Sequence, residues 1–207
     1  RRVMVHFDGV YSAAVVWVNG QYVGYSQGSN TDAEFDITAA VHEGENNIAV
    51  RVYRWCDGSY LEGQDMWHLS GIHRDVYLVA TPKTFVSDHH ITATSLSSDA
   101  TSCDALNVAM TIDNRDDEAT TKIVEMELVD AAGKVVATQS QTVSVSGTSA
   151  TATLSTGKLS GLTAWSAEHP YLYTVIVRQK DGAGTEEMVF STKYGFRNIA
   201  IVNSGNN

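Results

Sequence analysis

The chain has 207 residues, enough for one large or two ordinary domains, and its apolar fraction of 43% is normal for a packed core. No apolar run approaches the ~20 residues that a membrane helix needs. A formal net charge of −10, with no basic cluster, argues against nucleic acid or anionic membrane as a partner.

Helical periodicity is nearly absent, and strand signals recur at short intervals. "RVMVHF" alternates through Val3, Val5 and Phe7. The opening "RRVMVHFDGV" has no signal-peptide pattern and reads as a strand entered abruptly, as if cut from a longer chain. "AAVVWVNGQYVGYS" predicts a hairpin, with Asn19-Gly20 supplying the left-handed positions of a type I′ turn between Trp17 and Tyr22. "EFDIT" is a short strand, with Thr38 expected to cap a single helical turn over residues 39–42. "NNIAVRVYRW" places Ile48, Val50 and Val52 on one face, and "RDVYLVA" is a further strand.

At Pro82 the pattern pauses, as suits a domain junction, because proline cannot donate to a ladder. Beyond it the chain is rich in Thr, Ser, Ala and Val. Strands are expected in "FVSDHHITATSL", "ALNVAMTIDN", "KIVEMELVD", "KVVATQSQTVSV", "SATATLS", "YLYTVIVRQ" and "EMVFSTKYGFRNIAI". Hairpin turns are expected at Asp130–Gly133 and Asp181-Gly182. About seven short strands over ~120 residues describe an immunoglobulin-like β-sandwich. The chain therefore reads as all-β, with residues 203–207 a disordered tail.

The stretch "RWCDGSYLEGQDMWHLSGIHRDVYL", residues 54–78, concentrates mixed chemistry in one connection. The G-x-S-x-G spacing occurs once, at Gly24–Gly28, but inside a predicted hairpin strand and not at a strand-to-helix elbow, and H-E-x-x-H spacing does not occur. His89 and His90 are adjacent on a predicted strand, so their rings point to opposite faces. Cys56 and Cys103 lie in different halves and lack metal-ligand spacing. Glu62 and Asp65 could approach within the separation of a glycosidase carboxylate pair, but nothing nearby sets opposing pKa values, so hydrogen-bonded or solvated loop acids are the favoured reading. Asp57, between Trp55 and Gly58, reads from spacing as an Asx-turn acceptor first, and as a hard-cation or sugar-hydroxyl ligand second.

Three segments carry a resemblance: "FDGVYSAAVVWVNGQYVGYSQGS", "EFDITAAVHEGENNIAVRVYRWCDGSYLEGQDMWHLSGIHRDVYL" and "WSAEHPYLYTVIV". Together they resemble the large bacterial β-galactosidases of glycoside hydrolase family 2. The resemblance implies the later part of a jelly-roll, sugar-binding-like domain over residues 1–81, N-terminally truncated, and an immunoglobulin-like β-sandwich over residues 82–202. In that family a (β/α)₈ barrel follows and holds both catalytic glutamates. No catalytic residue is therefore assigned here, and the chain alone should be inactive.

The same resemblance implies a substrate-site role for Asp57. The family's W-S-D-G-S loop reaches over the barrel, and its Asp helps to hold a sodium ion and the galactosyl 6-hydroxyl. That Asp corresponds to Asp57, with Cys56 where the motif has Ser, so a somewhat different loop geometry is expected. Sodium, and magnesium as a further ion, are implied for the full-length enzyme, with no tight binding by this chain. Trp55, Tyr60, Met66 and Trp67 are expected to pin the loop against jelly roll and barrel, Gly58, Gly63 and Gly71 to permit its turns, and Arg74 with Asp75 to close it. The implied partners are a β-galactoside substrate and further copies of the full-length enzyme, in a bacterial cytoplasm or periplasm. Exposed sheet edges are expected to make the truncated chain self-associate. Competing readings are a stand-alone carbohydrate-binding module, a structural immunoglobulin-like tandem, and the same region of a β-glucuronidase.

Overall fold

The computed structural model describes residues 1–116 and 118–200. The expected tail, 203–207, and the last residue of the final expected strand, Ile201, lie outside the described residues. The chain divides between Pro82 and Lys83 into two compact units.

The first unit contains β1 (Arg2–Phe7), β2 (Val10–Tyr11), β3 (Ala13–Val18), β4 (Gln21–Gln27), β5 (Ala33–Asp36) and β6 (Ile48–Tyr53). A single turn α1 (Ser59–Glu62), β7 (Gly71–Ile72) and β8 (Val76–Thr81) complete it. Two three-stranded sheets, ordered β5-β1-β8 and β4-β3-β6, and the two-stranded β2-β7 ladder make up the sandwich. Alternation decides the core: Val5 and Phe7 of β1 bury with Ala14, Val16 and Val18 of β3, and Phe35 and Ile37 join them. Phe7 meets Phe35 edge to face with centroids 6.0 Å apart. The β3–β4 hairpin forms as expected, with Asn19 at φ 51° and Gly20 at φ 81°, and Trp17 paired to Tyr22.

Two details differ from expectation. Thr38 caps no helix. Its hydroxyl donates to Asp36 Oδ1 at 2.6 Å and its Oγ accepts the Val3 N–H at 2.9 Å, so it seals β5 against β1 instead. On β8 the row that pairs with the core face of β1 is not covered: Leu78 lies opposite buried Val5 but is 60% exposed, and Val76, opposite Phe7, is 47% exposed.

The second unit contains β9 (Thr84–Thr94), β10 (Ser102–Cys103), β11 (Ala105–Asn114), β12 (Thr120–Val129), β13 (Val135–Val145), β14 (Ser149–Ser155), β15 (Leu159–Ser160), β16 (Tyr173–Asp181) and β17 (Glu186–Tyr194). A three-stranded sheet, β14-β11-β9, faces a four-stranded one, β13-β12-β16-β17, giving the immunoglobulin-like sandwich. Leu106, Val108, Met110 and Ile112 of β11 interleave with Val124, Met126 and Leu128 of β12 and with Tyr173, Val175 and Val177 of β16. The next inward position of β16 is Gln179, fully buried. Its amide donates to Thr84 O at 2.8 Å and Glu187 Oε2 at 3.0 Å, and accepts the Val86 N–H at 2.9 Å. Glu187 also receives Lys122 Nζ on both oxygens, at 2.9 and 2.8 Å. A polar plug thus closes one end of this core with its buried groups satisfied.

Both expected hairpin turns form, and one strand end shifts. Gly133 takes φ 83° in the Asp130 turn, and Gly184 takes φ 92° in the Asp181-Gly182 turn, where its N–H bonds Asp181 O at 3.0 Å. β17 ends at Tyr194 because the ladder with β16 ends at the Tyr173–Tyr194 pair. His89 and His90 do point apart. His89 Nε2 lies 2.7 Å from Thr192 Oγ1, while His90 is exposed.

Candidate substrate loop

The connection from β6 to β8 is fastened at both ends to the sandwich. At its start Ser12 N–H bonds Tyr53 O at 3.0 Å, and Ser12 Oγ donates to Arg54 O at 2.9 Å. Ser59, the first residue of α1, donates to Ser12 Oγ at 2.7 Å and accepts the Cys56 N–H at 3.0 Å. Ser12 and Ser59 are both buried, so this relay fixes the backbone on either side of Trp55-Cys56-Asp57. At the return end, β7 pairs with β2, His73 N–H bonds Gly9 O at 3.3 Å and Asp8 N–H bonds Asp75 O at 3.0 Å.

Arg74 and Asp75 both close the loop by hydrogen bonds, each to its own partners and not to one another as an ion pair. Arg74 Nη1 donates to two backbone carbonyls, Asp8 at 3.2 Å and Asn30 at 3.3 Å. A planar guanidinium can reach two carbonyls on neighbouring turns, whereas Asp75 is used through its own carbonyl in the ladder.

Asp57 stands exposed at the turn into α1. Its Oδ1 accepts the N–H of the adjacent Gly58 at 2.9 Å, not that of Ser59 as the expected Asx-turn requires, because the Ser59 N–H bonds Cys56 O at 3.1 Å. Tyr25 of β4 lies within its field: desolvation first, then the charges of Cys56 and Asp57, push the Tyr25 phenol above its ordinary value. Sequence reasoning missed Tyr25. The strand alternation of β4, which turns Tyr25 outward, was the available signal.

The aromatic residues do not all behave as expected. Trp55 packs against His68, with ring centroids 5.5 Å apart, and Arg54 lies 5.2 Å from its centroid. Tyr60 and Trp67 are 92% and 86% exposed, and Met66 is also exposed. They do not pin the loop to the sandwich, because the short α1 turns Ser59 inward and leaves Tyr60 on the outer side. The aromatic that anchors the loop is Tyr11, buried between His68 and His73 at centroid distances of 6.3 and 5.9 Å. Among the glycines, Gly71 needs its left-handed φ of 92°, while a Cβ at Gly63 would meet the His68 ring, which would have to swing aside. Gly58 has ordinary helical angles.

Trp55, Cys56, Ser59, Tyr60, Gly63, Gln64 and His68 line an open cleft of ≈ 510 Å³, and Asp57 is not part of its lining. Glu62 and Asp65 are not set up as an acid and a nucleophile. The Glu62 carboxylate accepts the Ser29 hydroxyl and the Ser29 N–H, and Asp65 is exposed at φ 54°. Cys56 and Cys103 are both free thiols. The described residues hold no group of three or more His, Cys, Asp or Glu side chains arranged for a metal ion.

Two family models account for the two units. Residues 1–82 match the glycosyl hydrolases family 2 sugar-binding domain, and residues 84–197 match a second glycosyl hydrolases family 2 domain. The chain belongs to glycosyl hydrolase family 2. A β-galactosidase of Priestia megaterium is 43% identical over 203 residues, covering 97% of this chain and 19% of that protein. The chain thus spans about a fifth of such relatives. A solved family 2 member from Bacteroides cellulosilyticus superimposes with a TM-score of 0.83 at 27% identity, over 96% of this chain and 27% of that one. A Bacteroides uniformis β-glucuronidase shares the fold, with a TM-score of 0.84 at 20% identity over 95% of this chain and 24% of that one. No helix among the described residues is long and apolar enough to cross a membrane.

Proposed function

We propose that this chain is the non-catalytic β-sandwich region of a retaining β-galactosidase, and that it lends one loop to the substrate site. The carrying observation is Asp57: an exposed carboxylate with a single local bond, on a backbone clamped by the Ser12–Ser59 relay. The identity of 43% to a β-galactosidase supports the galactoside reading, and the exposed Tyr60, Met66 and Trp67 offer apolar surface for a catalytic barrel. Asp57 suits a sodium ion as one hard oxygen donor whose Oδ2 remains open. In this reading the other ligands come from the barrel, and the ion would bridge Asp57 to the galactosyl 6-hydroxyl and fix the sugar's orientation.

The test is hydrolysis of a chromogenic β-galactoside by the full-length enzyme, its Asp57→Ala variant and this chain alone, at graded sodium. The expected result is a silent chain, an active enzyme and an Asp57→Ala enzyme weakened in KM and in its sodium response. Full activity in Asp57→Ala would overturn the role of Asp57. Activity on glucuronides and not on galactosides would move the assignment to the β-glucuronidase branch.

A further inference from the structure

Among the described residues the side-chain hydrogen bond of Asp57 is to the adjacent Gly58 N–H, so its position follows from the backbone of residues 56–62. That backbone is a tight unit. Ser59 N–H bonds Cys56 O at 3.1 Å, and the Leu61 and Glu62 N–H groups both bond Gly58 O, at 3.0 and 3.1 Å. A displacement at Glu62 is therefore transmitted to Gly58 and Asp57. The Ser12–Ser59 relay ties this unit down from beneath, and Glu62 is its second tie, at the far end of the turn. Its carboxylate takes the hydroxyl of Ser29, and Ser29 N–H lies 3.3 and 3.4 Å from its two oxygens. Ser29 is 1% exposed and sits in the β4–β5 connection. The next residue, Asn30, gives its carbonyl to Arg74, so two consecutive residues of that connection hold the two limbs of the loop.

We propose that Glu62 is a positioning residue for Asp57: by its two-point grip on Ser29 it sets where the Asp57 carboxylate meets the substrate's 6-hydroxyl. The inference rests on the reading of Asp57 given above. A carboxylate receiving two donors holds both distance and direction, and an error of about 1 Å at a positioned group costs as much as a hundredfold in rate. Glutamine can mimic the grip, since its carbonyl accepts the Ser29 N–H while its NH₂ donates to the hydroxyl. Alanine cannot.

The experiment uses the full-length enzyme with Asp57→Ala, Glu62→Ala, Glu62→Gln, Ser29→Ala and the double variant Asp57→Ala/Glu62→Ala. The readout is the ratio of kcat/KM for a β-D-galactoside to that for its 6-deoxy analogue, together with the ratio of calorimetric affinities for galactose and 6-deoxygalactose. Glu62→Ala and Ser29→Ala are expected to lower the discrimination about tenfold, the size of one lost charge-assisted hydrogen bond. Glu62→Gln should keep most of it, and the double variant should discriminate no less than Asp57→Ala alone. Discrimination intact in Glu62→Ala but lost in Asp57→Ala overturns the role of Glu62 and leaves that of Asp57 standing. Discrimination intact in Asp57→Ala overturns the reading on which both rest. Should Glu62→Ala fail to fold by thermal melting, Ser29→Ala decides the matter, since it deletes only one hydroxyl.

Discussion

Ser59 and Ser12, 47 residues apart in sequence, meet hydroxyl to hydroxyl at 2.7 Å in the interior of the first unit. Ser59→Ala removes the acceptor of the Cys56 N–H and the donor to Ser12 at once. The expected cost is about 1–3 kcal/mol, the range for buried groups left unsatisfied. Urea denaturation followed by tryptophan fluorescence measures it. Ser12→Ala/Ser59→Ala should cost less than the sum of the single variants, because the two share one network.

The polar plug of the second unit makes a larger effect available. Lys122 has a side chain only 9% exposed and meets the Glu187 carboxylate at 2.8 Å. Glu187→Ala strands that ammonium and removes a partner of buried Gln179. A loss of about 3 kcal/mol is expected, at the low end for a broken buried pair because Glu187 itself stays partly exposed. A loss below about 1 kcal/mol in chemical denaturation would show that Lys122 escapes to solvent.

Acid sensitivity follows from the hairpin carboxylate Asp181. The Thr185 N–H first, and the Ala183 N–H with it, hold its carboxyl below the usual 3.8. A folded value below the unfolded one gives stability that is present above pH 3.8 and lost as pH falls through the depressed folded value. Asp181→Ala should therefore be less stable than the natural chain near neutrality and equal to it at strongly acid pH. Thermal melting across that range checks the sign.

Leu78 and Val76 leave a core-facing row of β8 open to solvent at a sheet edge. Such an edge favours association between copies of the isolated chain. Sedimentation velocity should show oligomers that grow with concentration, and Leu78→Lys should shift the distribution toward monomer. A natural chain that stays monomeric at high concentration would refute this.

Much of the fold was legible because strands announce themselves by alternation. The Asn19-Gly20 turn, the Val108–Ile112 row and the pause at Pro82 each follow from local rules. What was illegible depends on pairing across long sequence distances. Nothing local marks Val10-Tyr11 as the partner of Gly71-Ile72, or Ser12 as the acceptor for Ser59. Thr38 looked like a helix cap because its type fits one, and the competing carboxylate of Asp36 two residues earlier decided otherwise. In the loop, Asp57 was visible as a candidate, but the aromatic that anchors the loop, Tyr11, sits far upstream. Tyr60 and Trp67, although large and apolar, point away from the sandwich, and nothing in their local sequence says so.

The relay under the loop also bears on which substitutions position 56 can accept. Residue 56 contributes its backbone N–H to Ser59, while its sulfur lies 3.6 Å from the same oxygen. The fastening runs through the main-chain N–H, which serine would supply equally, so Cys56→Ser should keep that bond. What changes is the chemistry: Cys56 places a half-buried, alkylatable thiol one residue from Asp57, a labelling point that serine would not offer.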